Sequence, residues 1–247
     1  AYNFDLPVSY LENWNFRYEA NSTAASIFDT FFLKLAENTF RDEFGETAYN
    51  QFVFYESVPV RTLSSLLRQN QQSSLFDDVT TGKTENRDDI IIKSMQDAIL
   101  FLSDSLGSEP FEWRWEQLHT ITFKPPMLSR AAEEEDASGA LKLIVNNILN
   151  QGPYEVPGHG MSVNNGQYRW NKPFEMVLGA SIRRISDMAE PGRSKSILPT
   201  GQSGNPLSDY YGDQTEFWLN GQYRWFYQDS SFFESNYRTM QLLPDTD

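Results

Sequence analysis

The stretch STAASIFDTFFLKLAENTFRDEF, residues 22–44, sets the fold class of this chain. Its apolar positions Ala24, Ile27, Phe28, Phe31, Phe32, Leu35 and Phe40 follow the i, i+3, i+4, i+7 spacing of a helix with one buried face. Asn21 or Ser22 offers a side-chain oxygen to cap its start, and Gly45 is placed to end it. Further on, Pro59 suits the first turn of a shorter helix that buries Leu63, Leu66 and Leu67, and the polar residues 69–74 read as a loop. Residues 86–106 form a second long helix. Asp88 and Asp89 sit in its first turn, at the positive end of the helix dipole. Ile91, Met95, Ala98, Leu102 and Leu106 make its buried stripe, and Gly107 stops it. A third helical stretch covers residues 140–149, before Gly152 and Pro153. The second half is richer in glycine, proline and aromatics. Its short apolar runs at 174–178, 181–185 and 196–198 read as strands, with turns at Gly192, Gly201, Gly204 and Gly212. The class expected is α+β: a mainly helical segment over residues 1–110, then a mixed segment over 111–247, together one structural unit.

Composition narrows the function. The 247 residues suit one large or two small domains, and a 39% hydrophobic content supplies a core. With 20 basic and 34 acidic residues the formal net charge is −14, the wrong sign for nucleic acid or for an anionic membrane surface. No run approaches the ~20 apolar residues that cross a bilayer. The most apolar stretch, residues 90–102, is interrupted by Lys93, Gln96 and Asp97. Residues 1–5 carry neither the basic nor the apolar region of a signal peptide. With no cysteine there is no disulfide, thiolate zinc site or Cys nucleophile, and two histidines exclude a three-histidine metal site within one chain.

Several constellations invite chemistry, and each has a plainer reading. His119, in WRWEQLH at residues 113–119, could be a general base or an oxyanion partner. No Ser, Cys or Asp partner is identifiable by spacing, so a partly buried histidine locking a helix-to-strand junction is the expectation. His159, flanked by Gly158 and Gly160, reads as a loop histidine rather than a ligand. Gly201-Gln202-Ser203-Gly204 fails the G-x-S-x-G nucleophile pattern, because glycine follows the serine directly, and no G-K-S/T makes it a phosphate loop. A tight turn packing main chain on main chain is expected there. Asp209, Asp213 and Glu216 read as surface acids at a helix start rather than as a catalytic pair. The charge run at 133–136 reads as a solvated loop or helix start. Aromatics form either a sugar- or peptide-binding surface or a core; the clusters at 31–32, 52–55 and 225–227 favour core. The pentapeptide Gly-Gln-Tyr-Arg-Trp occurs at both 166–170 and 221–225, with nothing around it repeated.

Taken together, several segments resemble the C-terminal part of the heavy chain of the penicillin amidase (penicillin acylase) family. Leu11-Glu12-Asn13-Trp14 and the helix after Ser22 resemble the family's L-x-x-W … S-x-A-A-x-I pattern. Trp113, Trp115 and His119, followed by the strand at 120–123 and Pro125, resemble W-x-W-G-x-x-H … P-L, with Glu116 in place of the glycine, so the local turn must differ. Gly179, Ser181, Arg183 and Asp187 resemble G-x-S-x-R-x-x-x-D. The most specific match joins Gly201, Gln202, Ser203, Gly204, Pro206, Ser208, Tyr211, Asp213 and Gln214, with Trp218 and Gly221, to G-Q-S-G-x-P-x-S-x-x-Y-x-D-Q … W-x-x-G.

The resemblance implies an N-terminal-nucleophile hydrolase with an αββα sandwich, made as one precursor that cleaves itself. Its new N-terminal residue is nucleophile and, through its α-amine, general base; such an amine titrates near ~8. Ala1 has no nucleophilic side chain. The resemblance places the nucleophile, the oxyanion Asn and the calcium ligands of characterised members upstream. No catalytic, cofactor or metal residue is therefore assigned to this chain. Trp113, Trp115, His119, Ser181, Arg183, Asp187, Gly201, Gln202, Ser203, Gly204, Tyr211, Asp213, Gln214 and Trp218 are given structural roles. The expected partners are the upstream parts of the same precursor and a small acyl-amide substrate, and the expected address is the bacterial periplasm or the exterior. The competing expectation is a complete non-catalytic glycan- or peptide-binding module using its aromatics.

Overall fold

The computed structural model describes residues 4–69, 72–190 and 192–227. The chain forms two compact units. One combines the residues up to Lys124 with Asn150–Gly179; the other combines Pro125–Leu149 with the residues from Ala180 onward. The α+β class holds, and strands begin only at Thr120.

In the first unit, α1 (Asp5–Glu12) precedes α2 (Thr23–Phe52). The Ser22 side chain caps α2 by accepting from the Ala25 N–H at 3.2 Å. Gly45 breaks the helix where its sequence position suggested: it leaves helical geometry at φ +69°, and a second helical segment runs on from there to Phe52. After α3 (Ser57–Gln69) comes α4 (Arg87–Leu106), held at its start by reciprocal bonds between Asn86 and Asp89. The row that α4 buries is Ile90, Ser94, Ala98 and Leu102; Ile91 and Met95 are only half-buried. A serine belongs in this row because its hydroxyl donates to the Ile90 carbonyl at 2.7 Å, and Asn38 of α2 donates to it at 3.1 Å. Phe40, Leu63, Phe76 and Ile90 are sealed from water with Trp115 in one cluster, each worth ~1.5–3 kcal/mol of hydrophobic stabilisation.

The one-turn helix α5 (Trp115–Leu118) follows. Glu116 lies in that turn and pairs with Arg114 at 2.9 Å, so the position that holds glycine in the family pattern is helical here. Four strands then form a mixed sheet: β1 (Thr120–Phe123), β2 (Gln151–Glu155), β3 (Gly166–Arg169) and β4 (Lys172–Gly179), in the order β2-β1-β4-β3. β1 runs parallel to β4 and the other pairs are antiparallel. On β4, Phe174 and Met176 point inward while Glu175 and Val177 face water, the period-2 alternation of a half-covered sheet.

The second unit holds α6 (Pro126–Glu133) and α7 (Gly139–Ile144), the latter continued by a π-turn at Val145–Leu149. Ala132, Val145 and Leu149 form its small apolar cluster. The acidic run at 133–136 is exposed and ends α6 rather than starting a helix. β5 (Arg183–Ser186), β6 (Arg193–Ile197) and β7 (Arg224–Tyr227) make an antiparallel sheet in that order, and α8 (Thr215–Leu219) precedes β7. The aromatic clusters divide. Phe31 and Phe32 pack against the core, but Phe54, Tyr55, Trp225 and Phe226 are exposed.

Candidate functional site

Sequence spacing left both histidines without partners, and the fold supplies them. His119 caps α5 and is fully buried, more deeply than expected at a helix-to-strand junction. Its Nδ1 faces the Val156 carbonyl at 3.0 Å and its Nε2 faces the Gly166 carbonyl at 2.9 Å. Burial pushes its pKa down, with the two carbonyls working in the opposite direction. The ring stacks on Trp115 at 4.8 Å. The Trp115 indole in turn donates to the Gly158 carbonyl at 2.8 Å, and that of Trp113 to the Gly107 carbonyl at 2.8 Å.

His159 is a loop residue by position but a core residue by environment. It is buried and stacks on Tyr18 at 4.5 Å. Its Nε2 lies 3.1 Å from Asp29 Oδ1 and 3.2 Å from Glu56 Oε1, while Nδ1 accepts the Met161 N–H at 3.1 Å. Asp29 comes from α2, Glu56 from the turn between α2 and α3, and Tyr168 from β3. Asp29 also accepts from the Tyr18 hydroxyl at 3.2 Å and from the Tyr168 hydroxyl. Burial, reinforced by the Asp29 charge, lifts the pKa of both tyrosines far up, so both remain donors. Burial works against the His159 imidazolium, yet the hydrogen bond and charge of Asp29 and the charge of Glu56 outweigh it and raise the pKa. Burial raises that of Glu56. The Gly160 backbone passes so near that an added Cβ would meet Glu56 Oε2 at 2.2 Å.

This group floors a cavity of about 1200 Å³ walled by Trp14, Phe28, Phe32 and Trp170. Apolar side chains stand open at its lining: Phe16 is 80% exposed, and Met161 and Val163 face water as well. The arrangement ties five distant segments together but does not poise a nucleophile. Both imidazole nitrogens are engaged, and the Ser162 hydroxyl serves the His159 main chain, accepting its N–H at 3.0 Å. Among the described residues no three His, Asp or Glu side chains are disposed to hold a metal ion.

The remaining motif residues lie in the second unit. Gly201 sits where any Cβ would fall 1.8 Å from the Tyr210 carbonyl oxygen, so the turn is the main-chain contact that its sequence implied. The Ser203 hydroxyl accepts from the Asn205 N–H at 3.1 Å, and Gln202 and Gly204 are exposed. Tyr211 donates to the Leu149 carbonyl, Gln214 accepts from the Leu198 N–H at 3.2 Å, and Asp213 pairs with Arg224 at 2.7 Å. Asp209 and Glu216 are exposed. Arg183 donates to the Trp218 carbonyl at 2.7 Å and lies over its ring at 4.1 Å, while the Trp218 indole donates to the Ala180 carbonyl at 3.2 Å. Asp187 accepts from the Ala189 N–H at 2.9 Å, and Ser181 is exposed. Sequence reasoning did not single out Asp29, Glu56, Tyr18 or Tyr168. The legible signal was Asp29, an acid set between Ala25 and Phe32 on the apolar face of α2.

The family model for penicillin amidase matches residues 2–231. The acyl-homoserine lactone acylase QuiP of Pseudomonas aeruginosa is 29% identical over 211 residues, which cover 83% of this chain and 24% of that protein. QuiP of Pseudomonas syringae pv. syringae is 27% identical over 226 residues, 90% of this chain and 26% of that protein. The chain thus spans about a quarter of the length of these relatives.

Proposed function

The chain belongs to the penicillin amidase family of amide hydrolases, and from that premise we propose that it is the C-terminal part of an N-terminal-nucleophile hydrolase that cleaves acyl amides outside the cytoplasm. One observation carries the reading: a family match across residues 2–231 of a chain that spans about a quarter of its relatives. The substrate class assigned first is an acyl-homoserine lactone, after the names of those relatives; the acyl side chain of a β-lactam is the neighbouring chemistry. In such an enzyme the N-terminal hydroxyl attacks the amide carbonyl and the α-amine takes its proton. The amine product leaves with a proton, and water then releases the acyl group. All of those groups are assigned upstream of this segment, and the family's calcium with them. This chain contributes scaffold, and alone it turns nothing over.

The test uses N-dodecanoyl homoserine lactone, with the released amine measured by fluorescamine. The purified 247-residue chain should release none. Expression of the whole gene should give turnover and a processed polypeptide that begins with Ser, Thr or Cys and contains this segment. Turnover by the chain alone that survives traps for contaminating enzyme would overturn the inactivity. A whole-gene product without amidase activity would overturn the reading.

A further inference from the structure

His159, Gly160, Met161 and Ser162 form a tight turn closed by the Ser162 N–H on the His159 carbonyl at 3.0 Å. The turn folds back on its own first side chain, because the Met161 N–H donates to His159 Nδ1 at 3.1 Å. A ring nitrogen that accepts carries no proton. The ring's one proton therefore sits on Nε2, facing Asp29 Oδ1 at 3.1 Å and Glu56 Oε1 at 3.2 Å. The Gly160–Met161 peptide is also held at its other end, where the Gly160 carbonyl accepts from the Asn165 side chain at 3.0 Å. The surroundings of the ring favour the opposite state. Burial opposes an imidazolium, but the hydrogen bond and charge of Asp29 and the charge of Glu56 outweigh it. The other titratable groups near the ring do not reverse this. Tyr18 stacks on it at 4.5 Å and Tyr168 meets its edge at 5.8 Å, both neutral donors to Asp29. Burial keeps His119 toward its neutral form. Arg17 and Glu19, on the lining of the same cavity, are exposed and pair with each other at 3.6 Å.

We propose that a proton on His159 Nδ1 works the Gly160–Met161 peptide as a catch at the mouth of the cavity. The neutral ring seats the Met161 N–H; the imidazolium expels it, because two N–H donors cannot face each other across 3.1 Å. The proton comes from water and stays on Nδ1, while the peptide turns away and takes the Met161 side chain with it. That side chain is 55% exposed and belongs to the cavity lining, so its turning reshapes the entrance. Gly160 leaves the peptide free to rotate, since it has no Cβ to strike Glu56. One neutral hydrogen bond is set against two carboxylates, so the proton competes for the seat near neutral pH. The root of the loop stays in place, because Gly158 is tied to Tyr18 and Trp115 by bonds that the proton does not touch. The catch belongs to this segment and is independent of the substrate assigned above.

The test is an NMR titration of the 247-residue chain, labelled with nitrogen-15 and with carbon-13 at the methionine methyls. The pH runs from ~8.5 down to ~5.5. At the upper end the His159 ring should show the Nε2–H tautomer, with the Met161 amide protected from deuterium exchange. As pH falls, Nδ1 should gain its proton, the Met161 protection factor should drop at least ~10-fold, and the Met161 methyl resonance should shift. All three changes should share one midpoint, while the amides of β4 keep their protection. His159→Asn places an oxygen where Nδ1 stood, able to accept the Met161 N–H but with no proton to gain. In that variant Met161 should stay protected throughout. A His159 ring whose charge is constant across the range would overturn the proposal. So would a ring that gains its proton while Met161 stays protected, or the same pH-dependent loss in His159→Asn. Loss of β4 protection at the same midpoint would mean unfolding rather than a catch, and would overturn it too. If His159→Asn does not fold, the titration of the natural sequence decides alone.

Discussion

Residues 166–170 and 221–225 spell the same pentapeptide and are built differently. In the first copy, Gly166 opens β3, Tyr168 is buried on Asp29, and Trp170 is 8% exposed. In the second, Gly221 adopts φ +65° just after the end of α8, only Arg224 and Trp225 enter a strand, and Trp225 is 51% exposed. The Gly221 N–H bonds to the Trp218 carbonyl and the Gln222 N–H to the Phe217 carbonyl, a glycine-terminated helix end. Arg169 lies over the Phe54 ring at 4.3 Å, whereas Arg224 is fixed by Asp213. Five residues therefore do not choose between strand and helix stop. The neighbours choose: a carboxylate and a helix layer in one place, a helix terminus in the other.

That contrast can be broken by paired substitutions. Trp170→Ala should cost ~3–5 kcal/mol in urea unfolding, and Trp225→Ala under ~1 kcal/mol, because only the first opens a cavity. Equal losses would mean that burial does not distinguish the copies. Tyr168→Phe removes a donor from a buried carboxylate and should cost ~1.5–3 kcal/mol, against ~0.5 kcal/mol or less for Tyr223→Phe. The glycines sharpen the comparison by mechanism. A Cβ at Gly166 would meet His119 Cε1 at 2.7 Å, and that ring is held between two carbonyls. Gly166→Ala should therefore cost ~1–3 kcal/mol, and Gly166→Asn more. Gly221 has open space but a left-handed backbone, so Gly221→Ala should cost ~1–2 kcal/mol and Gly221→Asn less. Asn failing to outperform Ala at position 221 would contradict the assigned backbone conformation.

The smallest effect is proton-linked. Burial raises the pKa of Glu56, so the fold favours its protonated form. Its contribution is complete below the unfolded value near 4.5 and is lost as pH climbs through the higher folded value. Glu56→Gln should flatten that part of the stability-against-pH curve, and an unchanged slope would remove Glu56 as its source.

Regular elements were legible because their causes are local. The spacing of apolar residues in α2, the Asn86 and Asp89 cap and the stop at Gly107 all lie within a few residues of what they control. In the buried row of α4, Ala98 and Leu102 fall where expected, but Ile90 and Ser94 take the places read for Ile91 and Met95, because Ser94 looks polar until its hydroxyl is seen bonded to its own helix. The site was largely hidden. His159 lies between two glycines, which suggests a free loop, and its partners Asp29 and Glu56 are more than a hundred residues away in sequence. No spacing rule reaches that far. The family motifs were visible as patterns: Trp115 and His119 lie in the same compact unit as the His159 cluster and pack beside it, whereas Gly201 and Trp218 belong to the other unit.

The loop carrying His159 bears on how the protein should open. A Pro-Gly-His-Gly segment joining two strands would ordinarily be an early site of protease nicking and would trade its amide hydrogens quickly. Here the Gly158 N–H is held by the Tyr18 carbonyl at 2.8 Å, its carbonyl takes the Trp115 indole at 2.8 Å, and the His159 N–H is held by Ser162. In deuterium these amides should exchange as slowly as those of β3, because freeing them means unseating Trp115. The connection that looks most dispensable on paper would then be among the last parts of its unit to let water in.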